Sequence, residues 1–193
     1  MMRRIFILIV AGTLMGFLAE PASSTGPGSV YERGSYDDPY TYTHKECGFK
    51  VKVKGRAWGR SVTYNVPGSD GQAFLLDDRY HFADVVTNPR NGKKMYISGH
   101  GRFTEKQATH VEGDLWEFTQ VDQGRPFTVK NGRHQTVLAD HGKVIFRQVV
   151  DTLGDSKPGG DQVEFEVVRV ARGSFPSLEP DFDFCALAER LIG

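Results

Sequence analysis

Cys47-Gly48-Phe49-Lys50-Val51-Lys52-Val53-Lys54 alternates apolar and cationic residues with a period of two. Successive side chains leave a strand on opposite faces, so Phe49, Val51 and Val53 make one apolar face while Lys50, Lys52 and Lys54 make a cationic one. The stretch is read as a half-buried β-strand that opens the folded domain, residues 46–193. Cys47 begins it. The only other cysteine, Cys185, sits near the C-terminus, so a disulfide between them would tie the first core strand to the last element of the chain.

Ahead of this strand the pattern dissolves. Residues 25–45 mix Pro, Gly, Ser and Asp with Tyr31, Tyr36, Tyr40 and Tyr42, and without a period of two or 3.6 they read as a flexible, tyrosine-rich N-terminal arm. Further upstream, Met1-Met2-Arg3-Arg4 gives a positive start, Ile5 to Leu18 an apolar run, and Ala22-Ser23-Ser24 the small residues that a signal peptidase needs. The run falls short of the about 20 apolar residues of a membrane span. Residues 1–24 are thus expected to be a cleaved signal peptide, and the protein to be secreted, with no membrane span left after cleavage. In an exported chain the two cysteines are expected to pair.

Cleavage leaves about 170 residues, enough for one domain with a sizeable core. Formal charge is zero over the whole chain, and loss of Arg3, Arg4 and Glu20 keeps it within one unit of zero. That balance gives no general electrostatic reason to bind nucleic acid or an anionic membrane.

Downstream of Lys54, short extended runs recur with turn formers between them. They are Arg60–Asn65, Ala73–Leu76, Tyr80–Thr87, Lys94–Ser98, Gly101–His110, Leu115–Val121, Phe127–Val129, His134–Ala139, Val144–Asp151 and Gln162–Ala171. Gln123-Gly124, Asn131-Gly132 and Asp140-His141-Gly142 are among the breaks, and glycine there suits tight hairpins. The expected fold is all-β, an antiparallel meander of about eight to ten strands closing into a β-barrel. One short helix follows, over residues 181–191. Pro180 and Asp181 suit its first turn, and Phe184, Leu187 and Leu191 give it one apolar stripe.

Cys-Gly-Phe at the start of the first strand, a glycine-punctuated meander, and a closing Asp183-Phe184-Cys185-Ala186-Leu187-Ala188 together resemble an uncharacterised group of small exported bacterial barrel proteins. The likeness runs from Cys47 to the end and is carried by the two cysteine contexts. At the level of fold alone the pattern is also similar to the barrel of allene oxide cyclases and dirigent proteins. No catalytic motif of those families is present, so the resemblance implies a fold and no chemistry.

Familiar enzyme signatures are missing: there is no Gly-x-Ser-x-Gly elbow, phosphate loop, dinucleotide fingerprint or His-Glu-x-x-His. Neither cysteine has a CxxC partner, and no metal or cofactor is expected. The candidate site residues are therefore polar groups that interrupt apolar faces. Asp84 shares a face with Tyr80, Phe82 and Val86; if that face points inward, the carboxyl is buried and its pKa raised, which makes it the candidate acid or base. The opposite register would turn His81, Ala83 and Val85 inward instead. Gln120 follows Trp116 and Phe118, Gln148 lies among Val144, Phe146 and Val150, and Arg169 continues the face of Val163, Phe165 and Val167, where it could pair with Asp84 or emerge at a rim. His100 and His141 adjoin glycines, where a ligand can approach the backbone. Three readings follow: a non-catalytic barrel that binds a small apolar ligand or an extracellular partner, an isomerase- or cyclase-type enzyme working in the barrel mouth, and a solid cell-surface interaction barrel.

Overall fold

The alternation that shows at Val51 does not end at Lys54. In the computed structural model, which describes residues 23–25, 28–45 and 47–193, it runs on to Asn65, and the two strands expected over 47–54 and 60–65 are one, β3 (Val51–Asn65). The same merging gives β5 (Lys94–Glu112), which passes through Gly99 and Gly101, and β6 (Leu115–Lys130), which passes through Gly124. The other strands are β1 (Ser23–Thr25), β2 (Val30–His44), β4 (Phe74–Thr87), β7 (Thr136–Ala139), β8 (His141–Asp151) and β9 (Asp161–Ser174). These nine strands form one antiparallel sheet in the order β2-β3-β4-β5-β6-β8-β9, with β1 added to β5 and β7 to β6. The path ends at β2 on one side and β9 on the other, and hydrogen bonds do not close it.

The flexible arm expected over 25–45 is corrected by β2, which pairs with β3 without interruption from Glu32↔Thr63 to His44↔Val51. Tyr36, Tyr40 and Tyr42 all occupy even positions. Their period of two is real, but Asp38 and Ser35-Gly34 around it look like a loop in the one-dimensional pattern. Most of the leader expected over 1–24 lies outside the described residues; its last two, Ser23 and Ser24, belong to β1. Among the described residues no helix is long and apolar enough to cross a membrane.

One face of the sheet is apolar at both ends of its strands. At one end Val51, Val53, Val86, Met95, Ile97 and Val129 pack under α1 (Phe184–Ile192), which buries Leu187, Ala188 and Ile192 against them. The helix starts three residues later than expected because Asp183, not Asp181, caps it: its carboxylate accepts the backbone N–H groups of Cys185 and Ala186 at 2.8 and 3.1 Å. Its last carbonyls are also answered, since the Asn88 and Asn91 side-chain amides both donate to Ile192 O. The Cys47 and Cys185 sulfurs stand at bonding distance, 2.13 Å, across 138 residues of chain, so the helix is fastened to the turn that leads into β3.

At the other end Leu75, Ala108, Trp116, Phe118 and Val150 are covered by Val66 and Ala73 of the β3–β4 connection. A third group, Val144, Phe146 and Phe175, joins β8 to the chain after β9. Between these apolar ends the same face turns polar.

Candidate functional site

The polar middle of the inner face is built from tyrosines that lie across glycines. Tyr40 on β2 is paired with Gly55 on β3, which is paired with Asp84 on β4; the tyrosine ring crosses the glycine and its hydroxyl donates to Asp84 Oδ1 at 2.6 Å. Tyr36 crosses Gly59 in the same way and donates to Asp78 Oδ2 at 2.9 Å. One strand further on, Tyr80 crosses Gly101 and donates to Asp122 at 2.9 Å. A Cβ on Gly55 would stand 2.4 Å from the Tyr40 ring, and one on Gly59 would stand 2.5 Å from the Tyr36 hydroxyl. These glycines are therefore seats for rings, a pairing that stabilises strand positions where glycine alone would not.

Burial shifts the carboxylates of this layer. It raises Asp84 and Asp78, with the tyrosine hydroxyls opposing the rise, and it pushes Asp122 up to about 6 against the Tyr80 bond. Glu105 is pushed up to about 7 by burial, although the Leu76 N–H and the Gln120 amide both donate to it. Each of these carboxylates already accepts at least one protein donor.

The outer face is different in kind. Directly opposed residues of an antiparallel pair project from the same face. Arg60 opposes Arg79, Arg79 opposes Arg102, Arg102 opposes Gln123, Gln123 opposes Lys143 and Lys143 opposes Arg172, one unbroken row across β3, β4, β5, β6, β8 and β9. At the ordinary strand spacing the row is about 24 Å long. Among the described residues, the one ion pair made within this row is that of Arg102, a two-pronged one with Asp77, whose carboxyl it holds below the usual range. Like charges set directly opposite one another destabilise a sheet, so three consecutive arginines oppose folding rather than assist it.

A second row runs beside the first. Trp58, His81 and His100 oppose one another on β3, β4 and β5, with ring centroids 5.3 and 5.9 Å apart and planes within 7° and 17° of parallel. Asp37 and Arg125 end this row, and the Arg56 guanidinium, itself paired with Asp37, lies 5.4 Å from the Trp58 ring centre. Two open hollows flank the arginine row. One of about 310 Å³ is lined by Tyr36, Asp37, Trp58, Gly59, Arg60, Arg79 and His81; the other, about 560 Å³, by Gln123, Gly124, His141, Gly142, Lys143, Arg172 and Gly173. Gly124, Gly142 and Gly173 oppose one another across three strands and have φ of 140°, 123° and 90°, so the floor of the second hollow is bare backbone.

The expected site residues do not converge. Asp84 is on the inner face of β4, the register that places it beside Tyr80, Phe82 and Val86. Gln120 is buried on β6 against Glu105, and Gln148 is buried on β8 between its cross-strand neighbours Phe118 and Phe165. Arg169 does not continue the face of Phe165 and Val167 as expected: the register shift at Val168 sets it opposite Ile145 on the outer face of β9, exposed and several strands from Asp84, and no ion pair joins the two. His100 belongs to the outer row. Among the described residues no three His, Cys, Asp or Glu side chains gather as a metal-binding group. Sequence reasoning missed the arginine row, although Arg60, Arg79 and Arg102 each sit on a strand at a position whose parity is readable; what it lacked was the register between strands. Comparison of the chain with protein-family models, with curated proteins and with solved structures gives no match.

Proposed function

We propose that this chain is an exported, disulfide-tied, barrel-like binding protein that holds an extended anionic partner, an acidic polysaccharide, on its outer face. The observation that carries this reading is the row Arg60–Arg79–Arg102–Gln123–Lys143–Arg172 with an open hollow towards each end. Guanidinium groups grip carboxylate or sulfate with two parallel hydrogen bonds. The Trp58, His81 and His100 planes offer flat surfaces on which the C–H face of a sugar ring rests, so one row answers the charge and its neighbour answers the ring. The small apolar ligand expected from the sequence has less support, because both apolar ends of the inner face are packed with the protein's own side chains. Catalysis by Asp84 has less support too, since its carboxylate is engaged by Tyr40.

Binding is tested with polygalacturonate against neutral dextran by titration calorimetry of the oxidised protein. Saturable binding of the acidic polymer alone is expected, weakened by salt as exposed charge pairs are screened. Arg79→Gln should weaken it about tenfold, a loss of roughly 1.4 kcal/mol, with the melting temperature unchanged or raised because a like-charge contact is relieved. Equal affinity for both polymers, or an Arg79→Gln protein that binds as the original does, would reject the reading. Tighter binding of single-stranded DNA than of any acidic glycan would replace it with a nucleic-acid surface.

A further inference from the structure

The two strands that end the sheet are protected to different degrees. β2 carries Pro39 at its middle and Asp37-Asp38 before it, and proline and charge are what keep an edge from recruiting another strand. β9 has no proline over its 14 residues, its protection being confined to three register shifts against β8, and Val163, Val168 and Val170 are 56, 50 and 44% exposed. Among the described residues β8 is the only strand paired with it. Its outer face also reads in two halves: Glu164 and Glu166, which oppose Val149 and Arg147 of β8, are followed by Arg169 and Arg172, which oppose Ile145 and Lys143.

We infer that β9 is a self-association edge, and that its occupant is β9 of a second copy of this chain in antiparallel pairing about a two-fold axis between Val167 and Val168. The choice of partner follows from the charge order. An antiparallel copy reverses the strand, so the acidic half of each meets the basic half of the other, Glu166 against Arg169 and, across the register shift at Ala171, Glu164 against Arg172. A parallel copy would set glutamate on glutamate and arginine on arginine. Edge pairing also satisfies backbone N–H and C=O groups and withdraws the three valines from water. In such a pair the outer faces of the two sheets are continuous, and the inference does not depend on what that face binds.

Sedimentation velocity of the oxidised protein, up to roughly 100 μM so that a micromolar association would be saturated, reads the outcome directly. The wild-type chain is expected at twice the monomer mass. Arg169→Glu places glutamate against Glu166 on both sides of the axis, and Glu166→Arg places arginine against Arg169, so each variant alone should run as a monomer. Mixed in equal amounts, the two regain both opposite-charge contacts and should sediment as a heterodimer. Glu117 and Glu164 still hold Arg147 when Glu166 is replaced, which offsets the new arginine set opposite it. Val168→Lys touches no ion pair and supplies the same loss of dimer should either charge variant fail to fold. A wild-type monomer over the whole range, a dimer indifferent to all three substitutions, or two charge variants that stay monomeric on mixing would each overturn the inference.

Discussion

Gly59 has the Tyr36 hydroxyl and the Arg79 backbone carbonyl each 2.5 Å from the place where a Cβ would go. The carbonyl belongs to the adjoining strand and cannot swing away. Gly59→Ala is therefore expected to destabilise the protein by about 2–3 kcal/mol, read in a urea melt, as overpacking of a fixed site does. An unchanged midpoint would mean that the Tyr36 strap is loose. Glu105 gives the second residue-scale prediction. Its native pKa is raised to about 7 from an ordinary 4.5, so the folded state keeps a proton that the unfolded chain releases; its contribution is most favourable below about 4.5 and is lost as pH rises through 7. Glu105→Gln should remove that slope and stabilise the protein near pH 8 while changing little at pH 4.5, as paired melts would show. What could be read of these residues from the sequence was their face. Asp84 with Tyr80, Phe82 and Val86 is a correct set, but two registers were open, and it is Tyr40, 44 positions away, that marks the inward one. No local pattern contains that distance.

At the scale of the element, glycine misled the reading in a consistent way. Gly55, Gly99, Gly101 and Gly124 all stand inside strands, where glycine usually signals a turn. Three of them carry an aromatic ring from the neighbouring strand: Tyr40 lies against Gly55, Phe82 against Gly99 and Tyr80 against Gly101. An aromatic residue on one strand and a glycine on the next is a pair, and only knowledge of the pairing turns two turn signals into one long strand. The apolar alternation of β3 and β8 and the stripe of α1 needed no such knowledge and were legible, whereas on β9 a register shift at Val168 turns Arg169 off the face of Phe165 and Val167. The helix offers its own test. Reduction of Cys47–Cys185 frees a loop of 138 residues and should remove up to about 5 kcal/mol, a fall of roughly 10–20 °C in melting temperature for a chain of this size. An identical melt after thiol counting has confirmed reduction would mean that α1 holds without its tether.

Over the whole molecule, 24 acidic and 24 basic residues cancel, and composition alone points away from polyanions. The fold undoes the cancellation by sorting. Asp78, Asp84, Glu105, Asp122 and Asp140 are drawn to buried or half-buried positions with raised pKa values, while Arg60, Arg79, Arg125, Lys143 and Arg172 stay on the outside. Net charge is a sum over the chain, whereas recognition reads a face. The sorting also sets the pH response: with Asp122 near 6 and Glu105 near 7, the melting temperature of the wild-type protein should fall as pH is raised from 5 to 8. A flat or rising profile would mean that the inner carboxylates are ionised in the native state. The link between Cys47 and Cys185 carries one more consequence, for proteases. Because most of the chain is a covalent ring, a single cut at the exposed Arg133 opens the ring without shedding a fragment. A nicked molecule keeps its full mass, and its pieces part only when a reductant is added, so damage in an oxidising surrounding leaves no trace on a non-reducing gel beyond a change in mobility.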